Sequence, residues 1–255
     1  MADQNNKTMV KTARTTFKIL ETIKARDEAT VTELTDVFSL SKSSIHNYLN
    51  TLEHDGYVVK NGNTYQVGLR LLDLGGYARH KELLYQTSKD EVTELAEETG
   101  EMTNLLVEQH GRGIYLYRAN GENAVKSDSY IGHRVYLHNT ALGQAILAHL
   151  SSERVNEIID RYGLPETTEN TITERDTLFS RLEHVREKGV AFDDEARLKG
   201  LRCVATPIIN KDGEVEGAIS ISGPTSRFQG DLYREKFPEK LKSAANVIEL
   251  NINYT

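Results

Sequence analysis

Between Ser41 and Gly68 the chain reads SKSSIHNYLNTLEHDGYVVKNGNTYQVG, a helical pattern that turns at once into a hairpin pattern. This stretch constrains the fold more than any other. Ile45, Leu49 and Leu52 fall within a narrow arc of a helical wheel, with Ser41 placed as the N-cap and Gly56 as the stop. Apolar and aromatic β-formers then flank Asn61-Gly62, the strongest short-range hairpin signal a sequence offers. Two further helices are predicted upstream. Residues 15–26 set Phe17, Ile19, Leu20 and Ile23 at helical spacing. Thr30 then precedes Glu33 at capping-box distance, with Leu34 and Val37 following. Only Ser39 to Ser41 separate the second helix from the third, which suits the tight turn of a helix-turn-helix. Three helices and one hairpin in this order predict a winged helix-turn-helix over residues 1–68.

From Leu69 to about Gly100 helical spacing resumes through Leu72, Tyr77, Leu84, Val92 and Leu95, interrupted at Gly75-Gly76. Residues 69–100 read as a helical linker leading into a second domain over 101–255; a helix wholly inside one domain is the alternative. Residues 102–119 alternate apolar and polar around Gly111-Arg112-Gly113, the pattern of a hairpin. A helical stretch over 139–161 carries Thr140 as a cap, a break at Ser151-Ser152 and a new start at Glu153. Another helix covers 173–188 and is closed by Gly189. CVATPII and EVEGAISIS form the last strands, joined by Lys211-Asp212-Gly213, and a final helix runs from Asp231 to Leu250. Strands and helices alternate without clean βαβ repeats, which predicts an α+β fold with a mainly antiparallel sheet.

A chain of 255 residues has room for two such domains, and 38% apolar residues suffice for real cores. No run approaches the roughly 18 apolar residues of a membrane span. The N-terminal MADQNNKTMVKTAR is too polar for a signal peptide, and the single cysteine, Cys203, suits a reducing compartment. The expectation is a cytoplasmic protein with no membrane partner. The net charge of −7 disfavours a nucleic-acid partner until its distribution is followed. Residues 1–68 hold eight basic and eight acidic side chains, and the remaining 23 and 30 account for the whole excess. The N-terminal segment is therefore the part least opposed to duplex DNA.

The predicted third helix presents Ser43, Asn47, Asn50 and His54 opposite its apolar arc, with Ser44 and His46 at the margins. Asn can pair with the N6 and N7 edge of adenine, and Ser can serve bases or phosphates. Lys42 is placed for phosphate. Lys60, Asn61 and Asn63 in the wing would reach backbone or minor groove, and Arg14 would neutralise a phosphate from before the first helix. This uncharged face has few of the Glu–Lys pairs typical of a plain solvated helix.

Three C-terminal segments carry a resemblance. GHRVYLHNTALGQAILA (132–148), GVAFDDEARLKGLRCVATPI (189–208) and GAISISGPTSRF (217–228) are together similar to the effector-binding half of the IclR family of transcriptional regulators. The winged helix and GLRLLDLG (68–75) match as well, so the resemblance runs from about Thr12 to Val247. It implies a GAF-like α/β effector-binding domain that takes a small metabolite, such as a carboxylate, sugar acid or aromatic acid. It also implies a homodimer or tetramer, and a two-fold protein favours a palindromic operator. Residue by residue it assigns the effector contacts to the amides of Ala141 and Leu142, to Asp193, to Cys203 in the pocket wall, and to Ser220 and Ser222. Thr140-Ala141-Leu142-Gly143 opens a helix, where free N–H groups suit an anion or polar oxygen. Ser220 and Ser222 share one strand face while Ile219 and Ile221 take the other. The chain departs from the family pattern at Asn47, where many relatives carry Arg, and at Tyr136 and Gln144 beside the expected pocket.

Competing readings of the same residues exist. Cys203 could be a nucleophile and, with Asp193, make a small-molecule enzyme carrying an accessory winged helix; a buried structural cysteine is the commoner case. His133, His138, Asp193, Asp194, Glu195 and Cys203 are metal-ligand types, but no tight ligand motif joins them, so neither a metal nor another cofactor is expected. Asp193 and Asp194 could simply brace a loop. A winged-helix module that binds protein rather than DNA is a further alternative.

Overall fold

The computed structural model describes residues 9–254, and the polar N-terminal stretch falls mostly on residues 1–8, outside that range. The chain divides into two compact units between Ala78 and Arg79, inside the segment read as a linker.

The first unit runs α1 (Lys11–Ala25), β1 (Ala29–Thr30), α2 (Val31–Phe38), α3 (Lys42–His54), β2 (Val58–Asn61), β3 (Thr64–Val67) and α4 (Arg70–Lys81), which crosses the division. Helix α1 starts one turn before the predicted boundary. Lys11 to Arg14 contain no breaker, and the Arg14 N–H closes onto the Val10 carbonyl at 3.1 Å. The capping box forms as predicted: the Glu33 N–H donates to Thr30 Oγ1 at 3.3 Å and the Thr30 N–H to Glu33 Oε2 at 2.7 Å. Ser39, at φ 51°, ends α2, and Ser41 Oγ accepts the Ser44 N–H at 3.1 Å to open α3. Ile19, Ile23, Leu34, Ile45, Leu49 and Tyr65 form the centre of the core. Phe17 does not join it and is 65% exposed, because it points roughly 110° away from the arc of Ile19, Leu20 and Ile23.

The wing turns one residue later than Asn61-Gly62 suggests. Asn61 pairs with Thr64 as the last rung of β2, leaving Gly62-Asn63 as a two-residue loop. Gly62 takes φ 60°, the requirement of the first loop position in a II′ hairpin. Helix α4 runs straight through Gly75-Gly76; the helical interruption comes instead at Glu82, before α5. No residue of α4 is buried, and Leu72 and Tyr77 stand 70% and 66% exposed.

The second unit is built on a six-stranded antiparallel sheet of order β6-β5-β4-β9-β8-β7. Its strands are β4 (Met102–Gln109), β5 (Arg112–Asn120), β6 (Arg134–Val135), β7 (Ala191–Asp194), β8 (Leu201–Ile209) and β9 (Val215–Pro224). Strands β1, β6 and β7 carry no sequence signal of their own; two to four residues are too few to show a period. Val204, Ile208, Ile219 and Ile221 face α5 (Leu83–Thr99) and α9 (Phe237–Tyr254), the latter entered through a π-helical turn over Leu232–Lys236. Ala205 and Ala218 face the opposite layer of α6 (Ala141–Leu147), α7 (Ser152–Tyr162) and α8 (Arg175–Lys188). The break expected at Ser151-Ser152 falls between α6 and α7, and α7 starts one residue ahead of the expected Glu153. It starts at Ser152 because the Ser151 hydroxyl accepts the Arg154 N–H at 3.2 Å.

Candidate functional site

Two separate sets of candidate residues emerge, one on the outside of the first unit and one inside the second. On α3, the burial of Ile45, Leu49 and Leu52 leaves Lys42, Ser43, His46, Asn47 and Asn50 exposed. Ser44 is the exception: it is half-buried and its hydroxyl lies 2.9 Å from Ser41 Oγ, within the cap. Lys60 and Asn61 end β2 and Asn63 sits in the loop, all exposed, with the Lys60 ammonium 5.6 Å from the Tyr65 ring centre. Arg14 is exposed within α1, not ahead of it as expected, because that helix extends back to Lys11. His54 at the end of α3 pairs with Asp55 at 3.0 Å.

The inner set is assembled by strand register. Asp193 of β7 sits opposite Cys203 of β8, Cys203 opposite Ser222 of β9, and Ser222 opposite Met102 of β4. One row over, Ser220 faces Asn104. Because side chains alternate along each strand, these rows point to the same face as α6. There they enclose a cavity of about 20 Å3, whose lining includes Ala141, Leu142, Asp193, Cys203, Ser220 and Ser222. All six residues matched by the resemblance therefore meet in one place, drawn from four segments. That volume is about the space of a single water. Anything larger than a water must enlarge it.

The start of α6 forms one wall. Thr140 Oγ1 accepts the Gly143 N–H at 2.9 Å and the Thr140 carbonyl accepts the Gln144 N–H at 2.9 Å, so the amides of Ala141 and Leu142 precede the first intrahelical bond. Gly143 is required here by space, since a Cβ would run into the backbone of Leu137. Asp193 Oδ1 accepts the Ala196 N–H at 2.7 Å, so it does brace the following loop while also lining the cavity. Burial pushes its carboxyl up to about 7, against the pull of the Ala196 amide and the Arg197 charge. Burial also pushes the Cys203 thiol up to about 12, with the nearby Asp193 charge adding to it.

Six lining residues carry no site signal in the sequence: the apolar Met102 and Leu201, and the polar Asn104, Tyr115, Ser129 and Arg197. Asn104 could have been found from strand parity with Met102. Arg197 follows the FDDE segment, but only the fold shows which way it turns. The Asn104 amide donates to the hydroxyls of Ser220 at 3.3 Å and Ser222 at 3.4 Å, while its Oδ1 is buried without a partner. Tyr136 and Gln144 do not line this cavity. Gln144 is buried and donates to the His138 carbonyl at 2.8 Å, and Tyr136 lies under the Arg112 guanidinium at 3.7 Å. The metal-ligand types are likewise dispersed. His138 contacts the Pro165 carbonyl at 3.2 Å, Asp194 pairs with Arg202 at 2.6 Å, and Glu195 accepts the Gly200 N–H at 2.6 Å.

Comparison with known proteins finds two family models along the chain. Residues 13–62 match the IclR helix-turn-helix domain, and residues 77–250 match the family model described as bacterial transcriptional regulator IclR C-terminal. The chain is 33% identical to the "Probable HTH-type transcriptional regulator ArcR" of Halobacterium salinarum, over 92% of this chain and 91% of that protein. It is 32% identical to the HTH-type transcriptional regulator XynR of Escherichia coli, over 89% and 90% of the two chains. Among solved structures, that of the Thermotoga maritima IclR superposes with a TM-score of 0.76 at 29% identity, covering 95% of this chain and 99% of that one. This chain belongs to the IclR family of transcriptional regulators.

Proposed function

We propose that the chain is a ligand-responsive regulator that reads duplex DNA with α3 and the wing and senses a small metabolite in the cavity beneath α6. The observation that carries this reading is the convergence of Ala141, Leu142, Asp193, Cys203, Ser220 and Ser222 on one enclosed cavity. Asp193 keeps its proton up to about pH 7 and so can donate a hydrogen bond to an oxygen of the metabolite instead of repelling it. On the outer face, Asn47 and Asn50 would read base edges, with Ser43 and His46 beside them. Lys42, Lys60 and Arg14 would contact phosphates, and Asn61 and Asn63 the backbone or minor groove. The resulting regulator acts on a catabolic gene set.

The exposed Leu72, Leu74 and Tyr77 of α4 support assembly into a homodimer or a tetramer, which would cover them. A two-fold dimer matches a palindromic operator. No helix among the described residues is long and apolar enough to cross a membrane, and DNA as partner assigns the protein to the cytoplasm. A catalytic role for Cys203 is disfavoured because its thiol stays protonated far above neutral pH, with no base hydrogen-bonded to it.

Titrating the full chain against its own upstream region, at several salt concentrations and with a metabolite panel, tests the proposal. A specific complex that weakens with salt and shifts with one metabolite is expected. Absence of any specific complex at every salt concentration overturns it.

A further inference from the structure

Arg197 is the one basic residue that lines both the inner cavity and a wider open groove of about 220 Å3 outside it, among the described residues. It therefore borders both, and we take its position as the mouth of the inner cavity. Its guanidinium contacts Asp128 at 2.6 Å, and the two partners differ sharply: the Arg197 side chain is 13% exposed and that of Asp128 is 58% exposed. A shielded cation thus depends on a carboxylate that water can take back at little cost, whereas the cation cannot be left unpaired. The outer groove adds Arg112 and Arg134, and Asp128 supplies the only carboxylate among the described residues lining it. Asp128 belongs to the connection between β5 and β6, next to Ser129, whose backbone carbonyl accepts from Arg118. At the inner end, the Asn104 amide has one atom without a partner. A ligand hydroxyl satisfies that amide in either of its two orientations, by donating to oxygen or accepting from nitrogen.

We infer that Arg197 is a specificity-determining residue that selects hydroxy acids, whose carboxylate replaces Asp128 at the mouth while a hydroxyl reaches Asn104 inside. This deepens the metabolite-sensing reading and rests on it. Because the closed cavity holds about one water, the ligand must open it, and the exposed side of the Arg197–Asp128 pair is where it yields most cheaply. Exchange of one carboxylate for another leaves the cation paired throughout. It also releases the segment holding Asp128, which couples occupancy to a change in the β5–β6 connection.

The test uses the full chain with three probe pairs: lactate and propane-1,2-diol, tartrate and threitol, gluconate and glucitol. Thermal shift and calorimetric titration should show binding of at least one acid with at least tenfold preference over its neutral partner. Arg197→Gln should erase that preference, Arg197→Lys should restore part of it, and Asp128→Asn should tighten acid binding several-fold. A merely structural Arg197 would change melting temperature without changing the acid-to-alcohol ratio. The inference is overturned if no acid binds at 10 mM, if the preference survives Arg197→Gln, or if Asp128→Asn weakens acid binding. Ser222→Val, checked for an unchanged apo melting curve, separates the two levels. If it blocks binding while Arg197→Gln leaves the preference intact, the cavity stands and the role of Arg197 falls. If Ser222→Val leaves binding untouched, the cavity reading itself fails.

Discussion

The two units carry their candidate chemistry in opposite environments. On α3 the polar side chains stand in water, hold few internal hydrogen bonds, and come from nine consecutive residues, 42–50. In the cavity the polar side chains are largely buried, come from segments nearly 120 positions apart at the extremes, Asn104 and Ser222, and are coupled to one another. Exposed charges are screened by salt. Buried ones are shifted by desolvation, as Asp193 and Cys203 are, so a single substitution there has larger and less local effects. On the proposed reading the outer face is a surface that its partner completes, and the inner one is a structural element that also binds.

The comparison breaks first at Gly143. Gly143→Ala should destabilise the second unit by about 3 kcal/mol or more, since the clash is with Leu137 backbone that cannot swing aside. Denaturant unfolding should show this loss while leaving the first unit's transition unchanged; a mild effect would mean that α6 does not sit where the cavity requires. Next is the pH dependence of Asp193. Its carboxyl titrates near 7 when folded against an ordinary value of 3.8, so the stability it contributes is complete below about pH 4 and lost as pH rises through 7. The span is on the order of a few kcal/mol. Asp193→Asn should flatten the fall in melting temperature between about pH 4 and pH 7, and an unchanged slope would place the carboxyl in water.

On the outer face the expected effects move from stability to recognition. Asn47→Ala should cost about 1–3 kcal/mol of binding to the specific site and little on an unrelated duplex. Fluorescence anisotropy on both duplexes decides it, and equal losses would remove Asn47 from base reading. Its effect on folding should stay within about 0.5 kcal/mol, unlike any change in the cavity. Smallest is Thr30→Ala, which removes the hydroxyl half of the capping box of α2, keeps the backbone N–H that donates to Glu33, and should cost about 1 kcal/mol of first-unit stability by thermal unfolding.

The same contrast explains what could be read in advance. Helix α3, its Ser41 cap, the capping box at Thr30 and the hairpin over 58–67 rest on contacts within a few residues, and these were legible. The alternation of Ser220 and Ser222 against Ile219 and Ile221 was legible for the same reason, because period 2 is a local property. Where the local rule admits several outcomes, structure and expectation differ: Phe17 lies off the core arc, the wing turns at Gly62-Asn63, and α4 tolerates Gly75-Gly76. The six cavity residues were reached through the resemblance, not through periodicity.

By itself the sequence determined the three-helix-and-hairpin unit, the antiparallel character of the second domain and the polar face of α3, because each follows from hydrogen bonds and burial along short stretches of chain. Only the tertiary structure decided that Asp193, Cys203, Ser222 and Met102 form one row, that Asn104 joins Ser220, and that Arg197 leans back to Asp128 at the mouth. Those placements depend on strand order and register across gaps of up to about 120 residues. No local period encodes them; the packing of the whole sheet against α6 selects them.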